Sequence, residues 1–147
     1  MKILDTTALD FAAKSGVALT EEFYATPDVL DEFEVGHDRR LPRNVRNILE
    51  MEWFDRATYL RGYKEMLNAY GGRSFYNMTG FGDISILALL YTQRAATAEM
   101  LPGLSDEIYL VTGDKGLTKK VRREFCDKAD SFSKTVRISK PEEYFRP

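Results

Sequence analysis

Ile108-Tyr109-Leu110-Val111 is an apolar run of strand length with no polar alternation, and a strand of that composition needs cover on both faces. The run therefore predicts a central parallel strand, and parallel neighbours require long crossover connections. The remaining sequence supplies them. Residues 2–4 read as a short strand, and the Thr6/Thr7 pair can cap a helix through Lys14 that Gly16 ends. Residues 22–25 read as a second strand, after which Thr26-Pro27 offers an N-cap and a first-turn proline for a helix to about Val35. Residues 83–99 are apolar around most of a helical circumference, as in a helix packed on more than one side. Leu117, Val121 and Phe125 at i, i+4, i+8 define another helix, and residues 135–138 a last strand. Strands alternating with helices predict a three-layer α/β/α domain around a central, mostly parallel sheet. Between Leu41 and Tyr70 apolar residues recur every three or four positions and close at Gly71-Gly72. That pattern predicts one long helix or two short ones, a helical insertion around residues 41–70, with residues 74–82 as a loop.

The 147 residues make one domain, 1–147, the default. With 21 basic and 23 acidic side chains, 44 % apolar and 30 % charged, disordered, fibrous and membrane classes are disfavoured. The longest apolar stretch, within residues 84–91, falls far short of the roughly 20 residues a bilayer span needs. The opening Met1-Lys2-Ile3-Leu4-Asp5 lacks the apolar core of a signal peptide, so a cytoplasmic protein without membrane partners is expected.

One cysteine, Cys126, and one histidine, His37, exclude an internal disulfide and Cys/His zinc or iron–sulfur sites. Any Ser-His-Asp or Cys-His chemistry would have to be built around His37, in a charged segment with no serine-elbow motif. An enzyme of this composition has carboxylates for its chemistry. In open parallel sheets ligands bind beyond the carboxyl ends of the strands. Asp5 closes the first predicted strand, Asp114 follows the strand ending at Thr112, and Asp83 opens the core helix. Each is also what a turn or N-cap needs. In the helix after Pro27, Val29, Leu30 and Phe33 define the buried face, so Asp28 and Asp31 point away while Glu32 and Glu34 flank it. Spacing does not choose between those two glutamates.

Ile3-Leu4-Asp5-Thr6-Thr7-Ala8-Leu9, Thr26-Pro27-Asp28-Val29-Leu30-Asp31-Glu32, Gly82-Asp83-Ile84-Ser85-Ile86-Leu87-Ala88-Leu89 and Leu110-Val111-Thr112-Gly113-Asp114 occur in this order. Together they resemble the four acidic motifs of the PIN-domain nucleases, and the tail Val136 to Phe145 is similar to that family's closing strand and Pro-Glu-Glu turn. The resemblance spans nearly the whole chain. It implies acid ligands, both metal-binding and catalytic, at Asp5, Glu32, Asp83 and Asp114, with Thr6 and Thr112 as hydroxyl partners. It implies a metal-dependent endoribonuclease that leaves 5′-phosphate and 3′-hydroxyl ends, either the toxin of a toxin–antitoxin pair or an RNA-processing factor. An antitoxin or a ribosomal or processing partner goes with those roles.

Crowded carboxylates require a proton or a cation, since two of them ~4 Å apart repel by about 4 kcal/mol at an effective dielectric near 20. An all-oxygen set of this kind suits Mg²⁺ or Mn²⁺. Two basic clusters could meet an RNA backbone: Arg39, Arg40, Arg43 and Arg46, and Lys115, Lys119, Lys120, Arg122 and Arg123. Lys115, Lys119, Lys120 and Arg43 are the contacts expected from them. Arg46/Glu50, Glu52/Arg56 and Arg61/Glu65 at i, i+4 also read as an ordinary salt-laced helix face. Tyr59, Tyr63, Met66 and Tyr70 form a stripe suited to a core or homodimer interface more than to stacking bases. Two other classes compete: a catalytically silent RNA- or protein-binding domain on this fold, and a phosphotransfer domain of haloacid-dehalogenase or receiver type. The first of those phosphotransfer types needs a second acid where Thr7 stands, and the receiver pattern lacks its middle-strand aspartate.

Overall fold

The computed structural model describes residues 1–36, 41–76, 81–100, 106–128 and 130–146. Strands β1 (Lys2–Leu4), β2 (Phe23–Ala25), β3 (Val45–Asn47), β4 (Ile108–Val111) and β5 (Val136–Ser139) alternate with helices α1 (Thr6–Ser15), α2 (Pro27–Gly36), α3 (Arg56–Tyr76), α4 (Gly82–Ala98), α5 (Lys115–Val121) and α6 (Pro141–Tyr144). All five strands are parallel in the order β3-β2-β1-β4-β5. Ile3 lies between Tyr24 and Leu110, and Val111 between Leu4 and Ser139. The chain thus travels one way from β1 to β3, then returns past β1 to β4 and β5. Right-handed crossovers put helices of the outward run on one face and of the return run on the other. Packing follows this, for α1 meets α2 and α6 while α3 meets α4 and α4 meets α5, and α2 also reaches across to α4. The expected three layers are present.

The centre of the sheet is dry. Ile3, Leu4, Leu110 and Val111 are fully buried, covered by Leu9, Val29 and Phe33 and by every residue of α4 from Ile84 to Leu90. Burying one such aliphatic side chain contributes about 1.5–3 kcal/mol, which is why the apolar run at β4 and the all-round apolar α4 are legible in sequence.

The segment before Arg56 departs from the helical expectation for residues 41–70. Asn44 has a left-handed φ of 70°, which a helix does not accept, and its side chain donates to the Leu19 carbonyl at 2.5 Å. Val45, β-branched, then pairs with Phe23 in β3. Asn47 accepts from Leu49 N–H at 3.0 Å and opens a single 3-10 turn, Ile48–Glu50. Two of the three expected helix-face pairs dissolve accordingly, for Arg46 in β3 pairs with Glu22 at 2.5 Å and Arg56 donates to the Leu49 carbonyl at 2.7 Å, while Arg61 and Glu65 do stand one turn apart on α3. At its other end α3 continues through Gly71-Gly72 to Tyr76, covering the start of the expected loop. Among the described residues only Asn44 and Gly16 have positive φ, so those two glycines keep a helical φ and do not cap. Gly16 does end α1, as expected.

Asp28 does not point away. It is half-buried and accepts from the Tyr63 hydroxyl at 2.8 Å, because α3 covers α2 here. Tyr59 and Met66 are buried, Tyr63 and Tyr70 half-buried, and Tyr59 packs edge-on against Phe54, so the stripe belongs to the core. Among the described residues no helix is long and apolar enough to cross a membrane.

The contact between α3 and α4 is set by Gly62. A Cβ there would stand 2.5 Å from Cδ1 and 3.0 Å from Cβ of Tyr91. Overpacking costs about 1–3 kcal/mol, more than the ~1 kcal/mol that alanine gains over glycine in a helix. Gly62→Ala should therefore lower Tm by a few degrees in a circular-dichroism melt. A Tm at or above the parent value would mean that Tyr91 turns aside without cost.

Candidate active site

The direction of winding reverses between β1 and β4, so the connections leaving their carboxyl ends part and open a crevice. Asp5 follows β1 at one side of it, and Thr112, Gly113 and Asp114 follow β4 at the other. Asp5, not the threonine pair, caps α1: its Oδ1 accepts from Ala8 N–H at 2.9 Å and from the Thr7 hydroxyl at 2.7 Å. Asp5 Oδ2 accepts from the Thr112 hydroxyl. Each of these threonine oxygens also receives a backbone N–H from the β4–α5 turn, Gly113 to Thr7 at 2.7 Å and Asp114 to Thr112 at 3.0 Å. The two turns are stitched together around one carboxylate that is only 4 % exposed. Asp114 then caps α5, its Oδ1 accepting from Gly116 and Leu117 N–H at 2.8 and 3.1 Å.

Asp83 enters from the first turn of α4, and Glu32 fixes where that turn sits. Glu32 Oε1 accepts from Gly82 N–H at 2.9 Å and Oε2 from the Thr6 hydroxyl at 2.8 Å, tying α2 to both α4 and α1. A Cβ at Gly82 would lie 2.7 Å from Oε2, so the carboxylate holds this seat against a glycine and would have to shift for any other residue. Asp83 Oδ2 meets Lys120 Nζ at 3.3 Å, and that ammonium lies 5.7 Å from the centre of the Tyr70 ring.

These carboxylates sense one another. Burial pushes the Asp5 carboxyl above its ordinary range against the pull of Thr112, Thr7 and Ala8, and Asp114 adds to the rise. Burial likewise raises Asp83, followed by the charge of Asp114, partly offset by Lys120, with a further contribution from Asp5. Among the described residues no group of three or more His, Cys, Asp or Glu side chains is arranged so that it could hold a metal ion. Among the described residues, Asp83 Oδ1 and Asp114 Oδ2 accept no hydrogen bond, and Asp5 Oδ2 has Thr112 alone. These three oxygens, on three elements, thus carry at most one hydrogen bond each, whereas both oxygens of Glu32 are engaged. Such a set is all-oxygen and anionic, which fits Mg²⁺ or Mn²⁺ and not a thiophilic metal.

Of the residues singled out in sequence, Asp5, Asp83, Asp114, Thr6 and Thr112 converge here with Glu32 beside them, and Glu34 is exposed on α2. Lys115 and Lys119 line a cavity of about 350 Å³ that Thr112 shares, while Lys120 turns to Asp83. Arg43 does not join them: it lies with Gly16 and Val17 at the far end of α1, whose near end starts at Asp5. His37, Arg39 and Arg40 lie outside the described residues. Sequence reasoning missed Thr7 as a bonding partner, Gly82 as a close-approach position and Lys120 as the partner of Asp83. Only Gly82, directly before an acid at a helix start, offered a signal.

An acid whose folded pKa exceeds its unfolded one keeps a proton that the unfolded chain has shed, so stability falls as pH rises from the unfolded value through the folded one. In chelator, Asp83→Asn should therefore gain on the parent as pH climbs from the ordinary aspartate value of 3.8 toward neutrality. The gain is to be read in urea titrations, and a difference independent of pH would show that Asp83 feels no crowding. Separately, Gly82→Ala should lower Tm by displacing Glu32, and unchanged stability would show that the carboxylate has another seat.

No family model, no curated protein and no solved structure matches the chain.

Proposed function

We propose that the chain is a metal-dependent endoribonuclease of the PIN-domain kind. The observation that carries this reading is the meeting of Asp5, Asp83 and Asp114 at the switch point of a parallel sheet, where burial and then the charge of Asp114 raise both of the first two carboxyls, and Asp5 adds to the rise at Asp83. Support also comes from the four motifs in their order and from the oxygen-only donor set. Asp5, Asp83 and Asp114 would hold the ion. Bound there, Mg²⁺ or Mn²⁺ would acidify a water and offset charge on the phosphoryl group. Thr112 and Thr7 orient Asp5, so its Oδ2 faces the crevice in one rotamer. Glu32 acts on α4, holding Gly82 and with it the starting point of Asp83. Lys120 supplies a positive charge beside Asp83, able to meet a backbone phosphate once the acids are neutralised. Hydrolysis adds one water across the P–O3′ bond. The water oxygen ends on the 5′-phosphate, one proton goes to the 3′-oxygen, and the other is released to solvent.

The test is cleavage of single-stranded and structured RNA in Mg²⁺ or Mn²⁺, with end-group analysis. Asp5→Asn and Asp83→Asn should lose more than the ~10- to 100-fold that removing an outer partner costs at a metal site, and Thr112→Val should fall within that range. Divalent ion should also raise Tm of the parent and not of Asp83→Asn, by the ~2.7 kcal/mol expected at a hundredfold excess over Kd. Equal activity in parent and both Asn variants overturns the reading. Tight RNA binding with no divalent stabilisation and no cleavage would favour a silent binding domain instead.

A further inference from the structure

The cavity beside the acids has a composition of its own. It lies past the carboxyl ends of β4 and β5, is about 350 Å³, and is lined by Lys115, Lys119, Arg122 and Lys140 with Glu143 as its single carboxylate. Lys115, Lys119 and Arg122 stand at i, i+4, i+7, one face of α5 and its continuation, while Lys140 approaches from the end of β5. Among the described residues none of these four cations forms an ion pair, although Lys120, next to Lys119, does so with Asp83. Four cations drawn around one recess against the single carboxylate of Glu143 raise the local potential and concentrate an anion. Thr112 lines the same cavity and donates to Asp5, so the recess and the acids adjoin through this one residue.

We propose that this recess is a phosphate subsite, holding a nucleic-acid backbone phosphate adjacent to the one that faces Asp5, Asp83 and Asp114. The inference rests on the nuclease reading, in that a strand crosses the acids. It assigns Arg122 and Lys140 to substrate and divides α5 between two tasks: Lys120 serves the acids, and Lys115, Lys119 and Arg122 serve the neighbouring phosphate. The consequence for specificity is that substrate must extend past the cleaved linkage on this side.

The experiment reads binding, by fluorescence anisotropy of a short labelled single-stranded RNA with the full chain in EDTA. Lys119→Ala/Lys140→Ala should bind about tenfold more weakly, with a slope of log K against log salt shallower by about 0.7 for each phosphate that is no longer neutralised. Lys64→Ala/Lys134→Ala, with the same change of charge on exposed residues elsewhere, should match the parent. Affinity and slope that change equally in both pairs, or in neither, overturn the subsite. On the unaltered chain, a dinucleotide with a terminal phosphate should displace the RNA at lower concentration than the same dinucleotide without it, and equal displacement overturns the proposal. So does a mononucleotide that binds as tightly as the strand, which would mark a small-molecule phosphate site. EDTA withholds the metal, so the expected binding pattern in a chain that cuts no RNA when Mg²⁺ or Mn²⁺ is supplied supports the subsite and removes only the hydrolytic reading.

Discussion

A carboxylate that is 4 % exposed persists only where its lone pairs are met by donors, and Asp5 is met from two directions at once. Ala8 and Thr7 belong to its own turn, but Thr112 comes from the end of β4, 107 residues away in sequence. Both threonine oxygens then accept N–H groups of the β4–α5 turn, so the network closes on itself. Sheet ladders bring β1 and β4 side by side, yet they leave the turns beyond them free to splay. The stitching around Asp5 removes that freedom and thereby fixes Asp114, whose backbone is held by Thr112 and whose side chain starts α5. Without it the acids have no common geometry, and the basic face of α5 has no fixed relation to them.

Crowding at this rim follows from the topology. A switch point needs two strands whose chains leave in opposite directions, and β1 and β4 are the pair that satisfies it in the order β3-β2-β1-β4-β5. The first residue after each strand is then obliged to look into the crevice. Glu32 plays a different part from the three aspartates. Its two oxygens already bond Gly82 and Thr6, so it acts as a clamp between helices as the chain stands. The resemblance treats the four acids as one set, whereas the hydrogen bonds separate three with an oxygen to spare from one without.

The alternation of strands and helices was legible because burial enforces it: an unalternating Ile108–Val111 run and an α4 apolar on every side permit few other layers. Asp5, Asp83 and Asp114 were legible as strand- and helix-end acids, which spacing alone could equally have assigned to capping. In fact Asp5 and Asp114 do both, capping α1 and α5 while facing the crevice. What was not legible depended on distant partners or on single dihedrals. The periodicity of residues 41–70 is blind to the left-handed Asn44, and a helical wheel for α2 cannot know that Tyr63 of α3 covers Asp28. Likewise nothing in a run of lysines separates Lys119 from Lys120, since the division arises from α5 lying between Asp83 and the end of β5.

That division bears on how a chain of net charge −2 could handle a polyanion. Long-range attraction is not available to it, so any steering must be local. The acid rim is itself repulsive to phosphate until its charge is met, by a proton, by Lys120 or by a cation. A recess whose four cations form no ion pair among the described residues, immediately beside that rim, supplies attraction at short range, within the ~8 Å over which physiological salt leaves a field unscreened. Strand capture and charge neutralisation at the acids are then separate events resting on separate side chains, joined through Thr112, which belongs to both.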